Sequence, residues 1–274
     1  MVSINTNVGA LVALQNLNAT STQLQQTQSI ISTGLKVGSA KDDGATWAIA
    51  QNQRATASSL DAVKDSLNRA SSVTDVALAA GGQISDLLTQ MQSKALAASD
   101  TSLDTASRAA LNTDFISLRN QIQSVVNNAA FNGINLIKSG ASNVAALANS
   151  TGSSVLTVVA QDLSVGGGNV TVAATGTIGT VTQATNMIAT VQASINNVSA
   201  ALAKFGTASK SVASTLTFVG KMQDTITAGV GNLVDADLAK ESAHLQALQT
   251  KQQLGIQALS IANQAPQSVL SLFR

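Results

Sequence analysis

The sequence predicts a mostly α-helical fold in which long antiparallel helices form coiled-coil rods, the two terminal helices pair, and a small β-hairpin region interrupts them. Apolar residues recur at three- and four-residue spacing along several long segments, while turn-forming residues are confined to short stretches. Aromatic residues make up only 2% and charged residues 11% of the 274 residues. A chain this rich in small side chains favours close helix packing over a bulky core.

The longest repeat lies between Val181 and Leu233. It keeps the three-four spacing for about seven heptads, and only Ser209 and Gln223 are polar among its seam positions. Because this stripe is narrow and continuous, it predicts one very long helix that packs against a partner helix.

The amino-terminal segment from Ile4 to Leu35 predicts an amphipathic helix that Gly34 and Gly38 bring to an end. No charged residue occurs before Lys36, so the polar positions of this helix are all uncharged. We therefore expect the helix to lie inside a larger structure rather than against water.

Two more helices are predicted in the first half of the chain. The segment from Lys36 to Trp47 is turn-rich and is predicted to connect two rods. Beyond it, a seam from Leu60 to Ala98 predicts a long helix that the pair Gly81–Gly82 weakens. After a break at Asp100 to Asp104, a third helix is expected to fold back on the second and to close near Asn127–Asn128.

The region from Phe131 to Gly179 is richer in Gly and in β-branched residues. Val155 to Val159 and Val170 to Val172 alternate as strands do, and Gly166 to Gly168 lies between them. We expect these two segments to pair as a β-hairpin.

The carboxyl-terminal segment repeats the pattern of the beginning, with apolar residues on one stripe. The apolar residues of two isolated terminal helices barely offset the entropy of ordering them. We therefore expect both ends to be mobile in the monomer and ordered in an assembly of many copies.

Charge and composition exclude several functions. A net charge of +1 without a cluster of Lys or Arg argues against nucleic acid and anionic membranes as partners. The absence of Cys excludes disulfides and thiolate metal sites. With neither a secretory signal nor a long apolar run, the chain is expected to stay in the cytosol or to leave through a signal-independent exporter.

The sequence predicts no catalytic, cofactor-binding or metal-binding residues. His244 is the single histidine and is expected at a helix surface or interface. The pairs Asp42–Asp43 and Asp235–Asp237 are expected to cap helices and turns. Gly166 to Gly168 lacks the GK[ST] sequence of a phosphate loop. Trp47 is expected to have a packing role and not to bind a ligand.

Motifs at both ends resemble one family. SINTNVGALVALQNLNAT at residues 3–20, GLKVGSAKDD at residues 34–43 and FNGINLI at residues 131–137 are similar to amino-terminal motifs of bacterial flagellin. DADLAKES at residues 235–242 and ANQAPQSVLSLFR at residues 262–274 resemble its carboxyl terminus. The motifs occur in the expected order and cover most of the chain.

The resemblance implies a structural subunit that polymerises into the helical flagellar filament, the propeller for swimming, without enzymatic activity or cofactors. Residues 1–40 and 234–274 would form the inner core of the filament and residues 41–233 a surrounding rod domain, with the hairpin region at about 131–179 and no large outer domain. The expected polymerisation interface is the apolar stripe of the terminal helices: Leu11, Leu14, Leu17, Leu24, Ile31, Leu238, Leu245, Leu248, Leu259, Val269 and Phe273.

The same resemblance implies the partners and the location. These are further copies of the chain, sibling flagellins, hook–filament junction proteins, the filament cap, an export chaperone and the type III export apparatus. The chain would then be extracellular and exported without a cleaved signal peptide. Gln90, Gln92 and Ser93 stand where flagellins sensed by the extracellular Toll-like receptor usually carry charge, which predicts weak immune sensing.

Three alternatives stay open at this point. A hook–filament junction protein shares similar terminal helices, although the complete KDD joint and VLSLFR ending favour a filament subunit. A helical protein that binds membrane surfaces should carry Lys or Arg around its apolar face, which residues 3–35 lack. An enzyme is the third alternative and the least favoured, because the sequence offers no set of a nucleophile, a base and an orienting group that could form an active site.

Overall fold

The computed structural model describes the backbone of residues 6–271 and the side chains of residues 6–264. Within that range the elements follow in the order α1 (Val8–Thr33), α2 (Gly44–Ala98), α3 (Thr105–Asn128), β1 (Val144–Leu147), β2 (Val155–Val158), α4 (Val181–Val234) and α5 (Leu238–Ser271). The predicted mostly α-helical class with a small antiparallel hairpin is confirmed. No helix in the described range is long and apolar enough to cross a membrane.

The contacts divide the chain into two compact units. One unit combines the two ends, residues 1–55 and 225–274, and the other contains residues 56–224. Both α2 and α4 contribute residues to each unit.

The α2 seam forms a large part of the core of the second unit. All twelve seam positions that the heptad pattern marks on this helix are buried, and they are Leu60, Val63, Leu67, Ala70, Thr74, Ala77, Gly81, Ile84, Leu88, Met91, Ala95 and Ala98. α2 continues through Gly81 and Gly82 without a break. The Thr74 hydroxyl is satisfied because it donates to the Ala70 carbonyl at 2.7 Å.

Polar residues fix the register of α4 in this unit. Gln223, one of the two polar positions of the long α4 seam, accepts from Lys64 Nζ at 2.8 Å. Its Nε2 donates to Asp61 Oδ1 at 2.7 Å and to the Ala57 carbonyl at 3.0 Å. A one-turn slip of α4 against α2 would break these three bonds.

α3 folds back on α2, as predicted. Lys94 and Asp114 form an ion pair at 2.7 Å. The buried Arg108 side chain donates through Nε to the Ala98 carbonyl at 2.9 Å, and through Nη2 to the carbonyls of Asp100 at 2.7 Å and Leu103 at 3.1 Å. One guanidinium therefore holds the end of α2 and the turn that follows it.

The predicted pairing of the hairpin is wrong. β2 does form at Val155–Val158, but it pairs antiparallel with Val144–Leu147, which lies before it in the chain. Val170 and Val172 are fully buried outside any strand, and Gly166–Gly168 makes a tight turn closed by Gly166 N–H to the Val170 carbonyl at 3.0 Å. The glycines therefore turn the chain without connecting two strands.

Candidate assembly surface

The two terminal helices pack against each other. Asn7 Nδ2 donates to the Ala262 carbonyl at 2.7 Å, which fastens the start of α1 to the far part of α5. Gly255 faces Leu17, whose Cδ1 would lie 3.3 Å from a Cβ added at the glycine. The helices therefore approach closely at this point, and the terminal pairing predicted from sequence is present within a single chain.

Two threonines lie on the buried face of α1. Thr20 is 4% and Thr27 3% exposed, although the interface stripe predicted for α1 contains only apolar residues. Thr20 Oγ1 donates to the Asn16 carbonyl at 2.9 Å, and Thr27 Oγ1 lies 3.5 Å from His244 Nδ1. Because these partners satisfy the hydroxyls, the side chains are buried at little cost. The seven-residue spacing of Thr20 and Thr27 is the feature of the sequence that places both on one face of the helix.

The predicted interface residues divide into two groups. Leu248 is buried, at 3% exposure, and the half-buried members are Leu17, Leu24, Ile31, Leu245 and Leu259. In contrast, Leu11 is 58%, Leu14 43% and Leu238 48% exposed. Phe273 and the Val269 side chain lie outside the described residues.

Further exposed apolar residues extend this surface beyond the predicted set. On α1 they are Val8 and Val12, and on α5 they are Leu254, Ile256 and Ile261, all more than half exposed. They were missed because the heptad count selects one narrow stripe, whereas these side chains lie on other faces of the same helices.

Two open grooves run along the helix pair. The larger, of about 640 Å³, is lined by Val12 and Leu254 together with small residues such as Gly9 and Ala258. The smaller, of about 350 Å³, lies beside Leu11, Leu14 and Leu259. We call the exposed apolar residues and these two grooves the terminal surface. Such a surface is shaped to accept further apolar side chains.

The chain between α1 and α2 is held against the end of α4. The Val234 carbonyl accepts from Lys36 N–H at 2.8 Å and from Val37 N–H at 3.3 Å. Trp47 packs against an apolar cluster that includes Val37 and Val230, so its predicted packing role is confirmed. Gly34, with a φ of 73°, ends α1 in the left-handed conformation as predicted.

Three of the four aspartates predicted to cap, Asp42, Asp43 and Asp237, accept bonds from backbone amides. Asp42 accepts from the Ser39 N–H at 2.9 Å, and bonds from the backbone and side chain of Ser39 lower the Asp42 pKa. Asp43 accepts from the Thr46 hydroxyl at 2.6 Å and the Ala45 N–H at 3.0 Å, and the hydroxyl is the main cause of its lowered pKa. Asp237 caps α5 in the same way, through the N–H groups of Ala239 and Lys240.

His244 lies at the surface of α5, as expected. Its side chain is 54% exposed and its Nδ1 lies 3.7 Å from Glu241 Oε2. In the part of the chain that the structure describes, no group of three or more His, Asp or Glu residues could hold a metal ion.

Comparison with known proteins agrees with this geometry. The family model for the bacterial flagellin N-terminal helical region matches residues 4–142, and the model for the bacterial flagellin C-terminal helical region matches residues 188–273. Flagellin FljM of Caulobacter vibrioides is 58% identical over 272 residues, covering 99% of this chain and 98% of its own. Flagellin FljK of the same organism is 57% identical over the same length and coverage.

More distant matches extend the likeness. Flagellin of Brucella melitensis is 38% identical over 289 residues, and the match covers 100% of both chains. The crystal structure of Bacillus cereus flagellin gives a TM-score of 0.51 at 19% identity, and covers 56% of this chain and 88% of that chain. The structural likeness shows a shared fold.

Proposed function

The chain belongs to the bacterial flagellin family, the structural subunits of the helical flagellar filament, and we propose that its copies assemble through the terminal surface of α1 and α5. The observation that carries this proposal is the exposure of large apolar side chains on both helices after they have paired, led by Ile261 at 70% and Val8 at 65%. Neighbouring copies would remove this surface from water, at about 25 cal/mol per Å² of apolar area.

The charge distribution supports packing between copies. α1 contains no charged residue, and the charged residues of α5 are few: Lys240, Glu241 and Lys251. Like charges therefore do not oppose the approach of one α1 to another. The contact would be heterologous and non-closing, which extends the assembly as a helix instead of a ring. We infer that residues 1–40 and 234–274 form the filament core and residues 41–233 the layer around it.

The exposed and buried leucines of α5 provide the test. Leu254→Asp places a charge on a side chain that is 59% exposed, so it should abolish filament formation while the helical content of the unassembled chain is unchanged. The matched variant Leu248→Ala shortens a buried side chain without adding a charge, so it should still form filaments but should lower their thermal stability. Filaments of normal length from Leu254→Asp, seen by electron microscopy after seeding, would contradict the proposal.

We further infer that assembly is the whole activity and that the chain has no enzymatic function. Support comes from its membership of a structural family and from the surface position of His244. By family resemblance, the proposed partners are sibling flagellins, the hook–filament junction proteins, the filament cap, an export chaperone and the type III export apparatus, with export occurring without a cleaved signal peptide.

The position of the protein in the flagellum can be tested directly. A filament subunit should label the filament along its length, whereas a junction protein would label only its base. Intact mass measurement of secreted protein should give the full sequence from residue 1 or 2. A shortened amino terminus would overturn the proposed export route.

A further inference from the structure

The β-hairpin leaves one strand edge open, and its hydrogen-bond pattern shows which edge it is. Ala148 N–H donates to the Ser154 carbonyl at 2.9 Å, so the pairs two residues further along, Ala146–Leu156 and Val144–Val158, are hydrogen-bonded pairs. Val155, Thr157 and Val159 alternate with these residues and direct their N–H and C=O groups away from β1.

The opposite edge is bonded to α2 at one position. Leu147 lies at the matching outward position on β1, and its N–H donates to Ser66 Oγ of α2 at 3.1 Å. This bond blocks a second strand on the β1 side, so the edge open to pairing is the β2 edge. A groove of about 640 Å³ runs along it, and consecutive residues from Leu156 to Val159 line the groove. Because consecutive side chains of a strand point to opposite faces, a groove that all of them touch follows the edge of the strand.

Apart from its short length of four residues, the β2 edge lacks the features that usually protect an edge strand. Val155 is 53% and Val159 54% exposed, and no Pro or charged residue occurs from Ser139 to Gln161. Edge strands in soluble proteins normally carry a Lys, a Pro or a bulge that blocks pairing with another chain. An exposed, uncharged, β-branched edge is a template for one more strand.

We propose that this edge pairs with the same edge of a second copy of the chain, antiparallel and about a two-fold axis, so that two hairpins form one four-stranded sheet. With Thr157 opposite its own counterpart, Val155 of each copy lies opposite Val159 of the other, and every outward N–H and C=O group meets a partner. Val–Val and Thr–Thr are favourable cross-strand pairs, and no like charges face each other along the strand.

The neighbouring helix leaves room for the second strand. The α4 residues that line the groove are mostly small, among them Ala203, Thr207, Ala208 and Ser211. Lys204, the charged residue of the lining, is held by Gln161 Oε1 at 3.1 Å. A two-fold contact differs from the heterologous contact that extends a filament. It joins two unassembled subunits or subunits of two adjacent filaments.

Single cysteines test the pairing in the full chain, which has none of its own. In the proposed dimer, residue 157 of one copy lies opposite residue 157 of the other, with their Cα atoms about 5.5 Å apart. In the Thr157→Cys variant the two thiols would therefore be within the range of a disulfide. The control is Ala145→Cys, because Ala145 lies directly opposite Thr157 in the hairpin and is also exposed, but belongs to the β1 side. Under copper-phenanthroline oxidation, the Thr157→Cys chain should form disulfide-linked dimers at least tenfold faster.

A second pair of variants measures the association itself. Thr157→Lys places two like charges face to face and should weaken dimerisation of the unassembled chain at least tenfold in sedimentation velocity, whereas Ala145→Lys should leave it unchanged. Equal cross-linking of both cysteine variants, equal effects of both lysines, or a wild-type chain that stays monomeric up to the concentration at which filaments form would each overturn the proposal.

Discussion

Gly81 and Gly82 are neighbours in α2, yet the structure predicts opposite results when each is replaced with Ala. A Cβ added at Gly81 would lie 2.5 Å from Leu202 Cδ2, 3.4 Å from Leu202 Cγ and 3.5 Å from Leu163 Cδ1. A Cβ added at Gly82 would meet no atom within 4 Å. Gly81 thus lies where Leu202 of α4 packs directly on α2, whereas Gly82 faces open space.

The magnitudes follow from two opposing effects. Ala is favoured over Gly inside a helix by about 0.8–1.0 kcal/mol. At Gly82 this gain is unopposed, so Gly82→Ala should raise the free energy of unfolding by about 1 kcal/mol. At Gly81 the methyl group forces Leu202 to move, and such overpacking costs about 1–3 kcal/mol. The net change for Gly81→Ala is a loss of about 0–2 kcal/mol, and the two variants differ by about 1–3 kcal/mol.

Urea unfolding of the unassembled full chain, followed by circular dichroism, measures this difference. The double variant Gly81→Ala with Leu202→Ala provides a further check, since removing the Leu202 side chain should remove the clash and give a coupling energy of about 0.5–3 kcal/mol. If Gly81→Ala and Gly82→Ala shift the free energy of unfolding equally, the close approach at Gly81 does not exist.

Three other predictions follow from the described contacts. Arg108→Ala should lower the free energy of unfolding by about 1–3 kcal/mol, because one carbonyl at the end of α2 and two in the turn after it lose a buried charged donor. In the same urea titration the exposed Arg54→Ala should change it by less than about 0.5 kcal/mol. Asp42, Asp43, Asp100 and Asp104 have pKa values below their ordinary 3.8. The stability that these carboxylates contribute is therefore present above about pH 4 and is lost as the pH falls through their folded-state pKa values. The double variant Asp42→Asn, Asp43→Asn should be less stable than the wild-type chain at pH 6 and should lose less stability than the wild-type chain on acidification. Amide exchange of α1 should be fast in dilute monomer and slow in filaments, and slow exchange in the monomer would contradict an assembly-dependent order.

The helical part of the fold could be predicted because one physical rule dominates it. The α2 seam is a strict heptad, and each of its twelve positions is buried, since in a long helix a residue's place in the repeat fixes the direction in which it points. In α4 the same repeat gives a graded result: Val191, Val198 and Phe205 are buried, whereas Ile188, Ile195 and Leu202 are half-buried and Leu233 is exposed. A repeat identifies the face of a helix but not how deeply each position is covered.

The hairpin could not be predicted in the same way. β1 has the sequence VAAL, whose two alanines have low strand propensity, and it pairs because its surroundings favour it: Ala146 is 1% exposed and the Leu147 N–H finds Ser66 Oγ. Val170 and Val172, which alternate as a strand would, are buried individually in a loop. Tertiary contacts therefore override local preference where segments are only a few residues long.

The terminal helices show why the candidate surface was predicted only in part. Thr20 and Thr27 are buried on the face of α1 that packs within the chain, whereas larger residues such as Val12 and Ile261 are exposed. If the helix pair were built only for the monomer, the larger side chains would be expected inside and the threonines outside, because burying Val or Ile yields more free energy than burying Thr. The reversed arrangement is reasonable when the monomer is not the final state. Small seam residues let α1 and α5 approach closely, and the bulky side chains are kept on the outer faces, where further copies of the chain can cover them.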